Sequence, residues 1–294
     1  MDLTLDAFAE SVGVDDPVTI EGSSSRGGAV AEARVVRAPS GIIRIDPAEM
    51  VVECGAGTLM VELAAALSEH GQTVSIPASG TVGGALAMGH SDITRLGHGA
   101  IRDVLLRTHY VSSTGTLTTA GGSTVKNVSG FDLCRLLVGA RGTLGFFGDV
   151  LLRTRPLPTF SAWFASGRDP VELLGGIFRP VSLLWDGGTS WIRLDGHPAD
   201  VERTATVWDL REVDGPPPLP SGSRWSMAPH MIVDQLADAT DSFVAEMGVG
   251  IVHRAGPPAQ RWVSPTVADL HVRIKRQFDP SGRLNPGVAP DRDG

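Results

Sequence analysis

The sequence is poor in the features that mark several protein classes. It has only two cysteines, Cys54 and Cys134, and no CxxC pair. That is too few for a secreted disulfide framework and the wrong spacing for a zinc ribbon or a redox dithiol. Both cysteines sit in apolar or helix-like runs and read as small buried hydrophobes. No apolar run reaches membrane-spanning length. The opening stretch, MDLTLDAFAESVGVDD, is acidic and lacks a continuous apolar core, so no signal peptide is expected and the cytoplasm is. No basic run interleaves with aromatics, and the formal net charge is -8. Both argue against nucleic acid or an anionic membrane as partner. No Gly-Lys-Ser/Thr follows a glycine loop, which excludes a Walker A site. His197, His230, His253 and His271 are scattered without HxH or HxxxH spacing, so no metal is expected.

What the chain does have is glycine (36) and proline (20). These imply many short elements joined by tight turns, and no repeat of fixed period appears. With 294 residues and 42% hydrophobic content there is enough chain for one large domain or two ordinary ones. The N-terminal half alternates strand and helix signals. Val18–Glu21 and Val51–Cys54 read as strands. Leu59, Leu63 and Leu67 recur every four residues and predict a helix over Leu59–His70, with Thr58 as N-cap and Gly71 as stop. Val104–Val111, Thr116–Thr119 and Phe146–Arg155 read as strands, and Phe131–Val138 as a short helix. Five of the six tryptophans fall in Trp163–Trp225. This predicts a separate small layer, its tryptophans serving as core or interface anchors. The apolar stripe Val267, Leu270, Ile274 and Phe278 then predicts a helix over Pro265–Phe278, capped by Ser264.

Two glycine motifs invite a nucleotide reading. VVECGAGTLMVELAAAL has the outline of a dinucleotide fingerprint. However, Met60 stands where a third small residue is needed, and no acid follows about 20 residues on. The stretch TVGGALAMG is the better candidate. Gly83 and Gly84 lack Cβ atoms, and their N–H groups in a turn before a helix would cradle a pyrophosphate. Gly22–Gly28 and Gly139–Gly148 are two further glycine-rich turns that follow or precede strands.

PASGTVGGALAMG, RLGHGAIRDVLL, KNVSGFDLCRLLVGARGTLGFFGDVLLRTRPLP and FDPSGRLNPG, in that order, resemble the FAD-linked oxidases of the vanillyl-alcohol-oxidase (PCMH-type) fold. Within that group they are similar to the smaller FAD-binding subunit of glycolate oxidase. The resemblance covers about Val18–Pro158 and Ser264–Gly287. It implies an α+β fold, a PCMH-type FAD-binding domain of two α+β subdomains over 1–158 and 263–290, with a small α/β cap domain over 159–262. The cofactor would be FAD, held non-covalently because the first loop has no histidine. The cofactor-binding residues would be Gly22, Ser23, Ser24, Ser25, Ser79, Gly80, Thr81, Val82, Gly83, Gly84, Gly142, Thr143, Leu144, Gly145 and Asn285. Relatives carry a Gly-Gly-Gly-Thr/Ser first loop where this chain has GSSSRGG, so serine hydroxyls would join the phosphate site.

Catalytic candidates are Lys126, Asn127 and His90. His98 is a loop histidine, and Arg102 with Asp103 reads as an ion pair. The implied activity is oxidation of a small 2-hydroxy acid such as glycolate or lactate. The alternative is an accessory flavin subunit, beside a larger flavin subunit and an iron–sulfur subunit, without turnover of its own.

Overall fold

The computed structural model describes residues 4–25, 27–122, 132–256 and 264–288. The chain forms two compact units. One comprises Met1–Asp92, Ala100–Leu157 and Val263–Arg292. The other comprises Ile93–Gly99, Pro158–Trp262 and the last two residues.

In the first unit, α1 (Leu5–Val12) starts where the Thr4 hydroxyl accepts the Ala7 N–H, and it buries Phe8 and Val12. β1 (Val18–Ile20) and β2 (Arg34–Val36) pair in parallel. β3 (Ile42–Asp46) and β4 (Val51–Gly55) follow. Next come α2 (Met60–Ser68), the short β5 (Gln72–Thr73) and α3 (Val82–Met88). After α4 (Arg95–His98), which lies in the other unit, the chain returns with β6 (Leu105–Val111), β7 (Leu117–Gly121), α5 (Leu133–Leu137), β8 (Phe146–Arg153) and β9 (Arg155–Pro156). Five of these strands form an antiparallel sheet in the order β3-β4-β8-β6-β7. β4 alternates between buried and half-buried residues, whereas the central β8 is buried from Phe146 to Leu152. Val52, Cys54, Val150 and Leu152 enter a core shared with Leu63 and Leu67 of α2 and Leu86 of α3. Glu53 and Arg107 face the other way and pair with each other.

The predicted α2 stripe keeps Leu63 and Leu67, and only its first member differs. Leu59 is the N-cap and is exposed, whereas Met60 is buried. Thr58 is not the cap. Its buried hydroxyl donates to Gly55 O at 2.7 Å and accepts from Gly41 N–H at 3.0 Å, so it ties two loops together.

The second unit opens with β10 (Phe160–Ser166), α6 (Pro170–Gly176), β11 (Ser182–Trp185), β12 (Ser190–Gly196), α7 (Pro198–Trp208) and β13 (Arg211–Val213). Their order in the sheet, β13-β10-β12-β11, is that of a split βαβ arrangement. β14 (Ser223–Ser226), α8 (Ile232–Leu236), β15 (Phe243–Glu246) and β16 (Ile251–Arg254) extend it to seven strands, antiparallel throughout. Tryptophans mostly pack here. Trp185 meets Phe243 edge to face at 5.5 Å, and the Arg254 guanidinium lies 4.1 Å over Trp225. The Trp208 ring presses on Gly176, where a Cβ would come within 2.1 Å of it.

The last helix, α9 (Pro265–Phe278), belongs to the first unit and is capped by Ser264 as its sequence predicts. Only the C-terminal half of its stripe packs. Ile274 and Phe278 join the core, while Val267 and Leu270 stay exposed.

Candidate functional site

A cavity of about 390 Å³ opens in the first unit, within the size range of cofactor sites. Four loops converge on it: the serine loop after β1, the Ala56–Gly57 turn after β4, the start of α3, and the Arg141–Gly145 turn before β8. Of the residues expected to touch a cofactor, Gly22, Ser23, Ser24, Ser25, Thr81, Gly83, Gly84, Gly142, Gly145 and Asn285 line this cavity.

Five others do not line it. Val82 and Leu144 are core residues. Thr143 is fully buried and its hydroxyl donates to Ala140 O at 2.6 Å. The Gly80 carbonyl accepts from Met60 N–H at 2.9 Å. Ser79 lies outside the lining and is engaged elsewhere. Lys126 and Asn127 lie outside the described residues. His90 does not line the cavity and has its own interaction partner. His98 is held by Asp195 in the second unit at 3.3 Å. Asp103 pairs with Arg135 at 2.5 Å rather than with its neighbour Arg102.

The expected role of Gly83 and Gly84 needs correction. They do not form a turn ahead of the helix; they are its first turn, after the N-cap Thr81. Their N–H groups are already used. Gly83 donates to Ala56 O at 2.7 Å and Gly84 to the Thr81 hydroxyl at 3.1 Å. Val82 N–H likewise donates to Thr58 O. Glycine is required at 83 because a Cβ would come within 2.8 Å of Ala56 Cβ. Gly89 and Gly139 are explained in the same way. Their backbones cross closely, and a Cβ on Gly89 would meet Gly139 Cα at 2.7 Å. That approach lets Gly139 and Arg141 N–H groups cap the Leu86 and Ala87 carbonyls.

The serine loop is different. The N–H groups of Ser23, Ser24 and Gly28 meet no acceptor among the described residues. Ser24 has φ 56°, a left-handed conformation that is unfavourable for a side-chain-bearing residue. Its hydroxyl lies 3.2 Å from Glu21, which also takes Arg37 at 2.6 Å. Gly22 is required by close approach, since a Cβ there would come within 2.7 Å of the Thr81 hydroxyl. Arg37 and Arg141 are among the lining residues, and Ile20, Met88, Phe146 and Phe147 supply apolar wall. This set fits a dinucleotide, with N–H groups, hydroxyls and cations for phosphates and flat apolar surface for rings.

At and behind the lining sits a polar junction of which the sequence reading named only Asn285. Asn285 donates to Arg141 O at 2.7 Å and accepts from Ile20 N–H at 3.3 Å. Lys275 spends its ammonium on Thr143 O, Asp279 and Leu284 O at 2.7, 2.6 and 3.1 Å. Burial pushes the Asp279 carboxyl up. Hydrogen bonds from Lys275, Leu284 N–H and Arg283 N–H outweigh it and hold the group below the ordinary carboxylate range. Arg283 is buried and donates to Val12, Gly13, Asp16 and Ser113 carbonyls. The FDPSGRLNPG stretch is thus a cross-linking knot as well as a turn. Glu21, Arg37 and the Ala56–Gly57 turn were also missed as lining; the last belongs to the motif that had been set aside as a failed fingerprint. Burial pushes the Cys54 thiol up to about 12 and the Cys134 thiol up to about 11, so both act as apolar groups.

Residues 17–121 match the family described as FAD binding domain. The chain is 29% identical to glycolate oxidase subunit GlcE of Escherichia coli, over 96% of this chain and 95% of that protein. It is 34% identical to a D-lactate dehydrogenase of Archaeoglobus fulgidus, over 39% of this chain and 26% of that protein. Among solved structures, an alkyldihydroxyacetonephosphate synthase is similar with TM-score 0.65 at 14% identity, covering 96% of this chain and 73% of that one. The fold is therefore the PCMH-type FAD-binding fold, and the cofactor is FAD. More particularly, the chain is an FAD-binding oxidoreductase related to glycolate oxidase subunits and D-lactate dehydrogenases.

Proposed function

We propose that the chain binds FAD non-covalently in the first unit's cavity and serves the oxidation of a small 2-hydroxy acid, glycolate or lactate being the candidates. The observation that supports the FAD placement is the serine loop: Ser23, Ser24 and Gly28, whose N–H groups meet no acceptor among the described residues, line a cavity whose lining also includes two arginines and an apolar wall. Ser23, Ser24, Gly28, Arg37 and Arg141 would hold the diphosphate. Gly142 and Gly145 keep the floor open, because a Cβ at either would strike Asn285 or Tyr110 within 2.6 Å. Met88, Phe146 and Phe147 would exclude water from the rings. Bound FAD would supply the two-electron acceptor that the side chains lack.

The substrate class is supported by the relatives named for glycolate and D-lactate. The experiment is anaerobic mixing of the purified protein with glycolate, D-lactate and L-lactate while the visible flavin band is followed. Bleaching by one of them is expected. A band that none of them bleaches would remove the substrate assignment.

A second reading is favoured by the likeness to a protein named as a subunit along nearly its whole length. In it the chain is a flavin-carrying accessory subunit, with a larger flavin subunit and an iron–sulfur subunit as partners in the cytoplasm. Among the described residues no helix is long and apolar enough to cross a membrane. Turnover by the isolated chain equal to that of the co-purified assembly would exclude this reading.

A further inference from the structure

The serine loop keeps an unfavourable backbone shape, so its surroundings must hold it there. Ser24, at φ 56°, sits in the left-handed region that a side chain disfavours. Such a conformation persists only where neighbouring groups over-determine it. Left to itself, residue 24 would relax to a right-handed or extended conformation. The peptide planes on its two sides would then turn and carry the loop's unmet N–H groups with them.

Among the described residues, two contacts brace residue 24. The Ser23 and Ser25 hydroxyls meet at 3.2 Å across it. The Ser24 hydroxyl itself donates to Glu21 Oε1 at 3.2 Å. The first contact lies within the loop and moves with it, whereas the second reaches back to the end of β1. There Glu21 N–H donates to Val36 O at 3.0 Å, which fixes the Glu21 backbone to β2. Its other carboxylate oxygen, Oε2, takes Arg37 at 2.6 Å and leaves Oε1 to Ser24. The Arg37 side chain is 73% exposed against 24% for Glu21. The ion pair therefore adds little stability of its own, and its effect is to aim the carboxylate. The charge of Glu21 opposes a diphosphate bound in the same cavity, so what it contributes to the site is geometric.

We infer that Glu21 is a positioning residue for the diphosphate of FAD. It accepts the Ser24 hydroxyl, keeps residue 24 left-handed, and so holds the loop's N–H groups preformed for the anion. It acts through Ser24 rather than on the phosphates. The inference rests on the FAD placement proposed above and goes beyond it by naming what preforms the loop.

The test is titration of the flavin-free protein with FAD, followed by flavin fluorescence. Glu21→Gln and Glu21→Ala both remove the charge, but only glutamine keeps an acceptor oxygen for Ser24. Glu21→Ala is therefore expected to bind FAD about fivefold or more weakly than Glu21→Gln. Ser24→Gly removes the strain, since glycine enters the left-handed region at little cost. Combined with Ser24→Gly, the two Glu21 variants are expected to bind within about twofold of each other. Equal affinities of the two single variants overturn the inference. So does a gap that survives Ser24→Gly, because Glu21 would then act through another group. Arg141→Ala is titrated beside them to test the FAD placement itself. Weaker binding there with no gap between the Glu21 variants overturns the positioning role alone. Parent-like affinity in Arg141→Ala and in every loop variant overturns the placement as well. Without FAD, the two Glu21 variants are expected to melt at the same temperature. A fall confined to Glu21→Ala would make the residue a brace of the fold and overturn its role toward FAD.

Discussion

At the residue scale, glycine has two distinct uses in this chain. Gly83 is small because Ala56 presses on it, so Gly83→Val is expected to destabilise the protein even without cofactor. The clash is an overpacking defect of roughly 1–3 kcal/mol, read as a lower melting temperature of the FAD-free protein. A variant with parent-like apo stability that only fails to bind FAD would return Gly83 to a phosphate role. Arg283 is the opposite case, a large charged residue held entirely inside. Arg283→Met would orphan four carbonyls around it and is expected to cost about 3 kcal/mol or more. Chemical denaturation measures it, and a loss under about 1 kcal/mol would show that water replaces the guanidinium.

At the element scale, the C-terminal end of α9 clamps the 142–145 turn through Lys275, which Asp279 holds in place. The folded-state carboxyl of Asp279 titrates below its unfolded value. Its stabilising contribution is therefore complete above the unfolded value and is lost as pH falls through the folded one. Asp279→Asn is expected to lower stability at neutral pH and to flatten the acid limb of stability against pH. An unchanged acid limb would place the titrating group elsewhere. The start of α3 depends similarly on one hydroxyl. Thr81→Val removes the acceptor for Gly84 N–H, with an expected cost of about 1 kcal/mol. Because this hydroxyl is spent on capping the helix, FAD affinity should fall by less than tenfold. A larger loss, measured by flavin fluorescence titration, would mean that Thr81 itself contacts the cofactor.

At the scale of the whole molecule, FAD is a ligand of the folded state alone. At a hundredfold excess over Kd it adds about 2.7 kcal/mol, so the melting temperature should climb with added FAD. Filtration after denaturation should release all the flavin, because the first loop offers no histidine for a covalent bond. Flavin that stays with the denatured chain would overturn non-covalent attachment.

Much of this architecture is local and was legible in the residues. Ser264 before Pro265 determines where α9 starts, and Val51–Gly55 alternates as a half-buried strand must. The glycine-rich turns by themselves marked which loops come close to other groups. What those glycines approach was decided only by tertiary structure. Gly83 and Gly84 carry the sequence pattern of an anion cradle, yet Ala56 and Thr81, distant or adjacent in the chain, consume their N–H groups. GAG after β4 fails as a fingerprint and still lines the cavity, because β4 ends beside the serine loop only once the sheet has formed. Lys275, Asp279 and Arg283 look like surface charges in sequence. Their burial follows from the return of the C-terminal segment onto β1, where Val18 bridges Leu284. Spacing along the chain specifies helix, strand and turn; the partner of a buried donor or acceptor depends on long-range packing, which no local pattern encodes.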